Sequence, residues 1–206
     1  MSIRKYIYDK YAEYMTDEKI VRLPCRRTDL ATLFKELGFT EGAEIGVDNG
    51  FYSEALCKLN PKLRLHCIDP WKVYSKYEDI TDEKVFDKRF EHTKALLKPY
   101  NCNIIRKSST GALKDFVPSS LDFVYIDGNH TYDYVMEDLI GWSKIVKKGG
   151  IIAGHDYKGR RKGATPLGRM ELGVGKAVDD FIEKNDIDKL FLTVKNHDSS
   201  WFLINK

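Results

Sequence analysis

The chain has 206 residues, with 34 lysines and arginines against 31 aspartates and glutamates, a net charge of +3 and 42% hydrophobic residues. This length and balance predict a folded domain and exclude wholesale disorder. The apolar runs are short and the N-terminus is charged, so we expect neither a membrane partner nor export, and we predict a cytoplasmic protein. The basic residues are scattered, which argues against nucleic acid as a partner.

The first forty residues are predicted to form a helical extension, residues 1–40. Apolar residues recur at helical spacing through residues 2–15, and Thr28 is a candidate N-cap for a second helix that Gly38 ends. Neither helix carries a recognisable chemical motif. If the chain forms a homo-oligomer, we expect these helices to be the contact surface.

From Ala43 onward, short apolar runs alternate with helical stretches, which is typical of βαβ units. The apolar runs are continuous, which favours parallel strands covered on both faces. After a predicted helix at Val174–Lys184, the runs LFLTV and SWFLI are separated by a short polar segment and predict an antiparallel hairpin. The predicted main domain, residues 41–206, is therefore an open, mostly parallel α/β sheet with helices on both faces and an antiparallel C-terminal hairpin strand.

The first strand ends in a glycine turn. Ligands of open α/β sheets bind at the carboxyl ends of the strands, and Gly46 and Gly50 would let a ligand approach the N-terminus of the next helix. An ordinary βα turn explains the same residues, so the turn alone is a weak signal. Asp48 stands where a dinucleotide fingerprint needs its second glycine, which argues against NAD.

Polar residues also follow the second and third strands of the predicted domain. Asp69 lies where an acidic side chain accepts hydrogen bonds from ribose hydroxyls, or alternatively caps the turn before Pro70. Ser108 or Ser109 lies where a nucleobase edge would bind, and either is also a candidate N-cap for a short helix.

Two further strand ends carry acids and imidazoles. Asp127 and His130 follow one strand, and His155 and Asp156 follow the next. If these strands are neighbours, the cluster offers a general base or a metal site, either of which removes the proton from a hydroxyl nucleophile. The alternative is that these are ordinary hydrogen-bonded turn residues.

Four segments together carry a family resemblance: EIGVDNG at 44–50, IDPW at 68–71, DFVYIDGNH at 122–130 and KGGIIAGHDY at 148–157. In order and spacing they resemble class I S-adenosylmethionine-dependent methyltransferases. The likeness is greatest to small-molecule O-methyltransferases of the macrocin-type sugar branch. The resemblance implies a Rossmann-like fold and O-methylation of a sugar or natural-product hydroxyl.

The resemblance also implies roles for individual residues. Residues of the first turn would frame the methionine part of the cofactor, Asp69 would hold the ribose, and the two serines would lie beside the adenine. Trp71 would cover the adenine or ribose, or serve only in packing. The full set of implied cofactor contacts is Glu44, Gly46, Asp48, Asn49, Gly50, Asp69, Trp71, Ser108, Ser109 and Asp127.

Metal-dependent members of the resembled group imply a Mg²⁺ or Mn²⁺ ion. Asp127 and Asp156, with His155, would be its ligands, and His130 would be the base. Asp127, His130 and His155 are thus the implied catalytic residues. His155 stands where catechol-type relatives carry an acid, which argues against an oxygen-only magnesium site and leaves metal-free catalysis by His130 or His155 open.

Two other functional classes stay open at this point. The chain could be an NAD-type α/β oxidoreductase, or a nucleotide-binding module without catalysis. Titration with S-adenosylmethionine and with NAD separates the first, and methyl transfer to any acceptor removes the second. Contacts to the acceptor are expected from the N-terminal helices, from residues 71–80, and from the glycine-rich loop 157–173, which we expect to close over the acceptor.

Overall fold

An eight-stranded sheet forms the centre of the fold. The structure is a computed structural model, and it describes residues 2–72, 82–157, 173–195 and 199–206. The strands are β1 (Ile20–Leu23), β2 (Glu41–Ile45), β3 (Arg64–Ile68), β4 (Cys102–Ile105), β5 (Leu121–Ile126), β6 (Val146–Gly154), β7 (Leu190–Thr193) and β8 (Trp201–Ile204).

Helices cover both faces of this sheet. They are α1 (Ile3–Lys10), α2 (Arg27–Glu36), α3 (Phe51–Leu59), α4 (Glu83–Leu97), α5 (Ser109–Ala112), α6 (Tyr132–Ile145) and α7 (Val174–Lys184). Core residues of α1 to α4 pack on one face and those of α5 to α7 on the other. In β5, Phe123 and Tyr125 face the first layer and Val124 and Ile126 the second, which explains its continuous apolar run.

The strand order is β1-β7-β8-β6-β5-β2-β3-β4. β8 pairs antiparallel with both β6 and β7, and the other pairs are parallel. The predicted mostly parallel sheet with an antiparallel C-terminal hairpin is therefore confirmed. The chain leaves β2 toward β3 on one side and returns to β5 on the other, so a crevice opens at the carboxyl end of β2.

The first forty residues are more than a pair of helices. β1 pairs in parallel with β7, with Ile20 opposite Leu190, so this segment adds an edge strand to the sheet. α2 begins at Arg27 rather than after a Thr28 cap, because the Asp29 carboxylate accepts the backbone N–H of Arg26. α1 packs Ile7 against the chain's own core, where it is fully buried.

Most of the segments expected to contact the acceptor, 71–80 and 157–173, lie outside the described residues. Within the described ranges, we find no helix that combines the length and the apolar character needed to cross a membrane.

Candidate active site

A cavity of about 490 Å³ opens where β2, β3, β4 and β5 end. This size is typical of small-molecule and cofactor sites. Of the predicted site residues, the lining includes Glu44, Gly46, Asp48, Asn49, Asp69, Ser108, Ser109, Asp127 and His130. Gly50, Trp71, His155 and Asp156 do not line it.

The glycine turn after β2 has a conformation that side chains do not tolerate. Gly46 has a φ of 84°, and a Cβ added there would lie 2.2 Å from the backbone oxygen of Asp127. Gly50 has a φ of 78° and precedes α3, facing Thr93 rather than the cavity. Gly50 allows the turn, and its direct contact with the cofactor stays a prediction.

Asp69 fixes the shape of this turn. One carboxylate oxygen accepts the backbone N–H groups of Val47 and Asp48, both at 3.0 Å, and the other accepts the N–H of Trp71 at 2.7 Å. Burial raises the pKa of Asp69, while these backbone donors oppose the rise. The expected two-oxygen contact to a ribose is reduced, because Oδ2 already accepts two hydrogen bonds and only Oδ1 keeps spare capacity.

Trp71 supports the turn from behind. It is only 1% exposed, its indole N–H donates to the backbone oxygen of Asp48 at 2.8 Å, and its ring packs against Phe90. The prediction that Trp71 covers the adenine or ribose is therefore corrected in favour of packing. The Asp48 carboxylate lies at the cavity, where it pairs with Arg89 and accepts the side-chain amide of Asn49.

The two serines at the end of β4 have different partners. Ser108 accepts the backbone N–H of Gly111 and so caps α5, as the alternative interpretation predicted. Ser109 donates its hydroxyl hydrogen to Asp138 and accepts the indole N–H of Trp142 at 2.8 Å. Sequence reasoning missed Asp138, which lies on the buried stripe of α6 between Val135 and Trp142 and lines the cavity.

The acids and imidazoles after β5 and β6 do converge. His130 Nε2 lies 3.2 Å from Asp127 Oδ1 and 3.6 Å from Asp156 Oδ2. His155 Nδ1 lies 3.3 Å from Asp156 Oδ1 and 3.8 Å from Asp127 Oδ1. The predicted cluster is therefore present, but only Asp127 and His130 reach the cavity, and His155 lies behind them.

Arg27, on the first turn of α2, completes this cluster and was also missed. Its Nη2 lies 2.8 Å from Asp127 Oδ2, and its guanidinium lies over the rings of Tyr52 and Tyr125, with centroids at 3.9 and 4.9 Å. Such stacking suits a weakly hydrated guanidinium. The Arg-Arg-Thr sequence around it carries no pattern that would have identified it.

Glu44 lies beneath Arg27 and is 1% exposed. Burial raises its pKa to about 8, although Arg27, 3.9 Å away, and a hydrogen bond from Ser53 both lower it. Glu44 lines the cavity. Its carboxyl group is already engaged by Ser53 and lies near Arg27, so these internal contacts compete with any contact to a cofactor.

The same cluster contains a set of side chains suited to a divalent cation. Ligand atoms of Asp127, His130 and Asp156 all lie within 4.8 Å of one another. This group contains His130, whereas the predicted set contains His155, which also lies within 4 Å of both carboxylates, so the ligand set stays a prediction. An imidazole in the set suits Mn²⁺ better than Mg²⁺, and Arg27 already neutralises part of the Asp127 charge.

The sheet order, the antiparallel strand β8 and the cavity at the switch point give an α/β fold that binds its ligand at the carboxyl ends of the strands. Residues 43–157 match the family described as Methyltransferase domain, and the chain belongs to this family. The family implies S-adenosylmethionine as cofactor. The cavity fits it, because Gly46 lets the turn after β2 pack directly against the Asp127 backbone at the cavity wall, and the Asp69 carboxylate lines the cavity with Oδ1 able to accept from a hydroxyl.

The chain resembles one curated relative in sequence over a short part of that relative, and it resembles solved structures in fold. An uncharacterized protein of Sinorhizobium fredii is 23% identical over 124 residues, which is 58% of this chain but only 13% of the relative. A Staphylococcus aureus protein named as a caffeoyl-CoA O-methyltransferase has a TM-score of 0.63 at 14% identity, covering 100% of this chain and 93% of its own. The N-methyltransferase NodS of Bradyrhizobium japonicum has a TM-score of 0.54 at 14% identity, covering 87% and 94%. At these identities the structures show the fold alone.

Proposed function

We propose that this domain transfers the methyl group of S-adenosylmethionine to a hydroxyl of a small molecule, of the sugar or natural-product type. One observation carries the proposal. His130, in contact with Asp127 and near Asp156, lines the same cavity as the glycine turn. A proton acceptor therefore lies beside the expected methyl donor, as O-methylation requires.

In this arrangement the residues at the carboxyl ends of β2 to β4 would hold the cofactor. Gly46 would border its methionine part, Asp69 would accept from its ribose, and Ser108 and Ser109 would lie beside its adenine. The partial positive charge at the N-terminus of α3 favours the carboxylate end of the cofactor beside Gly46. Asp127 and His130, at the end of β5, line the same cavity and would lie beside the methyl group that the cofactor would supply.

The transfer step makes one O–C bond and breaks one C–S bond. The acceptor oxygen attacks the methyl carbon in line, the sulfur leaves with the C–S electron pair, and S-adenosylhomocysteine remains. The proton of the hydroxyl passes to His130, and the carboxylates of Asp127 and Asp156 stabilise the imidazolium that forms. Arg27 Nη2, 2.8 Å from Asp127 Oδ2, holds Asp127 in place for this role.

A cation-assisted version uses the same residues differently. Asp127, His130 and Asp156 would hold the ion, which would lower the pKa of the bound hydroxyl. His130 cannot then also accept the proton at the atom that binds the ion. The two versions therefore exclude each other at His130, and we favour the metal-free one because Arg27 supplies a positive charge at Asp127.

The test is methyl transfer from labelled S-adenosylmethionine to a panel of hydroxyl and amine acceptors. We expect a labelled O-methyl product from a hydroxyl acceptor. The activity should survive exhaustive EDTA treatment but disappear in His130→Ala. The matched control is His92→Ala, an exposed histidine on α4 that does not line the cavity. Labelled amine products would overturn O-methylation, and activity restored by Mn²⁺ after EDTA would select the cation-assisted version.

A further inference from the structure

Three of the four cysteines meet between the sheet and the helices α3 and α4, and we call them the thiol cluster. Cys57 lies on α3, Cys67 on β3 and Cys102 on β4, and all three belong to the same part of the core. The Sγ atoms of Cys57 and Cys102 lie 3.5 Å apart. No cysteine is among the described residues that line the cavity, so the methyl transfer proposed above makes no use of this cluster.

The contact between Cys57 and Cys102 is close enough to become a covalent bond. A disulfide bond is about 2.05 Å long, so the two Sγ atoms must approach by roughly 1.5 Å. Small rotations about the Cα–Cβ bonds of both residues together cover such a distance. The helix α3 and the strand β4 can therefore keep their positions in the fold while the bond forms.

Cys67 is a less suitable partner for Cys102. On β3, Leu65 is opposite Cys102, so Cys67 lies two residues further along the strand. Neighbouring strands are about 4.8 Å apart and rise about 3.3 Å per residue, which puts the Cα atoms of Cys67 and Cys102 about 8 Å apart. A disulfide needs Cα atoms within about 7 Å of each other. The backbone geometry therefore favours Cys57 as the residue that pairs with Cys102.

Cys102 is the member of the cluster that a dissolved reagent would reach first. It lies half-buried on β4, the edge strand of the sheet, whereas Cys57 and Cys67 are buried. Hydrogen bonds from Cys57 and Cys67 lower the pKa of the Cys102 thiol. The hydrogen bonds to Cys102, together with burial, raise the pKa of the other two thiols. Because the thiolate is the nucleophile in thiol–disulfide exchange, Cys102 is suited to start the reaction.

We propose that Cys57 and Cys102 form a reversible disulfide by exchange with a low-molecular-weight disulfide. The Cys102 thiolate attacks one sulfur of that disulfide, and the other sulfur leaves as a thiolate with the electron pair of the broken S–S bond. Cys57 then loses its proton, and its sulfur attacks Cys102 Sγ and releases the second small thiolate. The two protein thiols are oxidised by two electrons, and the small disulfide is reduced to two thiols that take up the two protons.

The bond would tie α3 to the edge strand of the sheet. The ring that it closes contains residues 58–101, which include β3 and α4. A ring of this kind restricts the unfolded chain and so stabilises the folded one. α3 begins directly after the glycine turn, and β3 ends directly before Asp69, so the ring includes structure that supports the cavity without adding a group to it.

The experiment treats the native full-length protein with an excess of oxidised glutathione. The remaining thiols are blocked with N-ethylmaleimide after unfolding, and the cross-links are mapped by mass spectrometry. We expect one intramolecular cross-link, between Cys57 and Cys102, with Cys67 recovered in its alkylated form. The oxidised protein should unfold about 5 °C above the reduced protein, and dithiothreitol should reverse both changes.

Cys102→Ser should lose both the cross-link and the rise in unfolding temperature. Cys25→Ser is the matched control and should keep both, because Cys25 is also half-buried but its thiol contacts Tyr11 instead of the cluster. In the wild-type protein, four free thiols, a glutathione adduct on Cys102 without a cross-link, or a cross-link between Cys67 and Cys102 would each overturn the inference. These results need no variant, and they do not depend on whether the domain transfers methyl groups.

Discussion

The two halves of the cavity are held together in different ways. The cofactor half depends on backbone conformation, with Gly46 at positive φ and Asp69 accepting N–H groups of the turn. The transfer half depends on charge balance among side chains, with Arg27 against Asp127. We therefore expect substitutions in the cofactor half to destabilise the protein through steric strain, and substitutions in the transfer half to destabilise it through unpaired charge.

The largest effect is expected at the glycine turn. In Gly46→Ala the new Cβ would overlap the Asp127 backbone at a φ of 84°, a cost of about 4 kcal/mol in strain and displaced backbone. Chemical unfolding and calorimetry with S-adenosylhomocysteine measure the loss of stability and of cofactor affinity. Gly128→Ala is the control, because its nearest contact is a side-chain methyl at 3.7 Å. Equal effects of the two substitutions would contradict the steric account.

The next effect concerns the charge balance of the transfer half. Arg27→Met leaves Asp127 without its cation and should cost about 3 kcal/mol of unfolding free energy and most of the activity. Adding Asp127→Asn should recover part of the stability but not the activity, because the carboxylate beside His130 stays lost. Arg26→Met, an exposed neighbour of the same charge, should be neutral. An equal loss in Arg26→Met would show that Arg27 acts only through general charge.

These two halves also differed in how far the sequence predicted them. The glycine turn, Asp69 and the clustering of Asp127 with His130 follow from local motifs at strand ends, because parallel strands bring those ends to one edge. Arg27 lies far from these motifs in the chain, and only the packing of α2 against the sheet brings it there. The burial of Asp138 could have been predicted from the sequence, because an acid on the apolar stripe of α6 indicates a buried carboxyl group.

β1 was missed for a related reason. Its run Ile20–Leu23 is short and contains Arg22, so neither an alternating nor a continuous apolar pattern stands out. Its pairing with β7 is a contact between the two ends of the chain, which no local pattern encodes. Trp71 shows the opposite limit, since the motif beside it left both a ligand role and a packing role open, and its burial behind the turn favours packing.

A smaller effect is expected at Asp69. Asp69→Ala removes the acceptor for the turn and the contact to the ribose, and should weaken S-adenosylhomocysteine binding by about thirtyfold, or about 2 kcal/mol. The temperature of thermal unfolding should also fall, because the N–H groups of Val47, Asp48 and Trp71 lose their acceptor. Asp133→Ala on the exposed side of α6 is the control. Unchanged cofactor affinity would remove Asp69 from the site.

The smallest effect is a pH dependence from Glu44. Its pKa is raised to about 8, so the folded state holds the proton more tightly than the unfolded state. This contribution to stability is complete below the ordinary value near 4.5 and is lost as the pH rises toward 8. Glu44→Gln should therefore melt higher than wild type at pH 8.5 and show little difference at pH 4.5. A gain that is equal at both pH values would contradict the assignment.

The central claim is that both halves serve one reaction in one cavity. A crystal structure with S-adenosylhomocysteine tests it directly. The account predicts the homocysteine part along Gly46, the ribose at Asp69, the adenine beside Ser108 and Ser109, and the sulfur turned toward His130. A complex with the sulfur facing away from His130, or with the ligand outside this cavity, would contradict it.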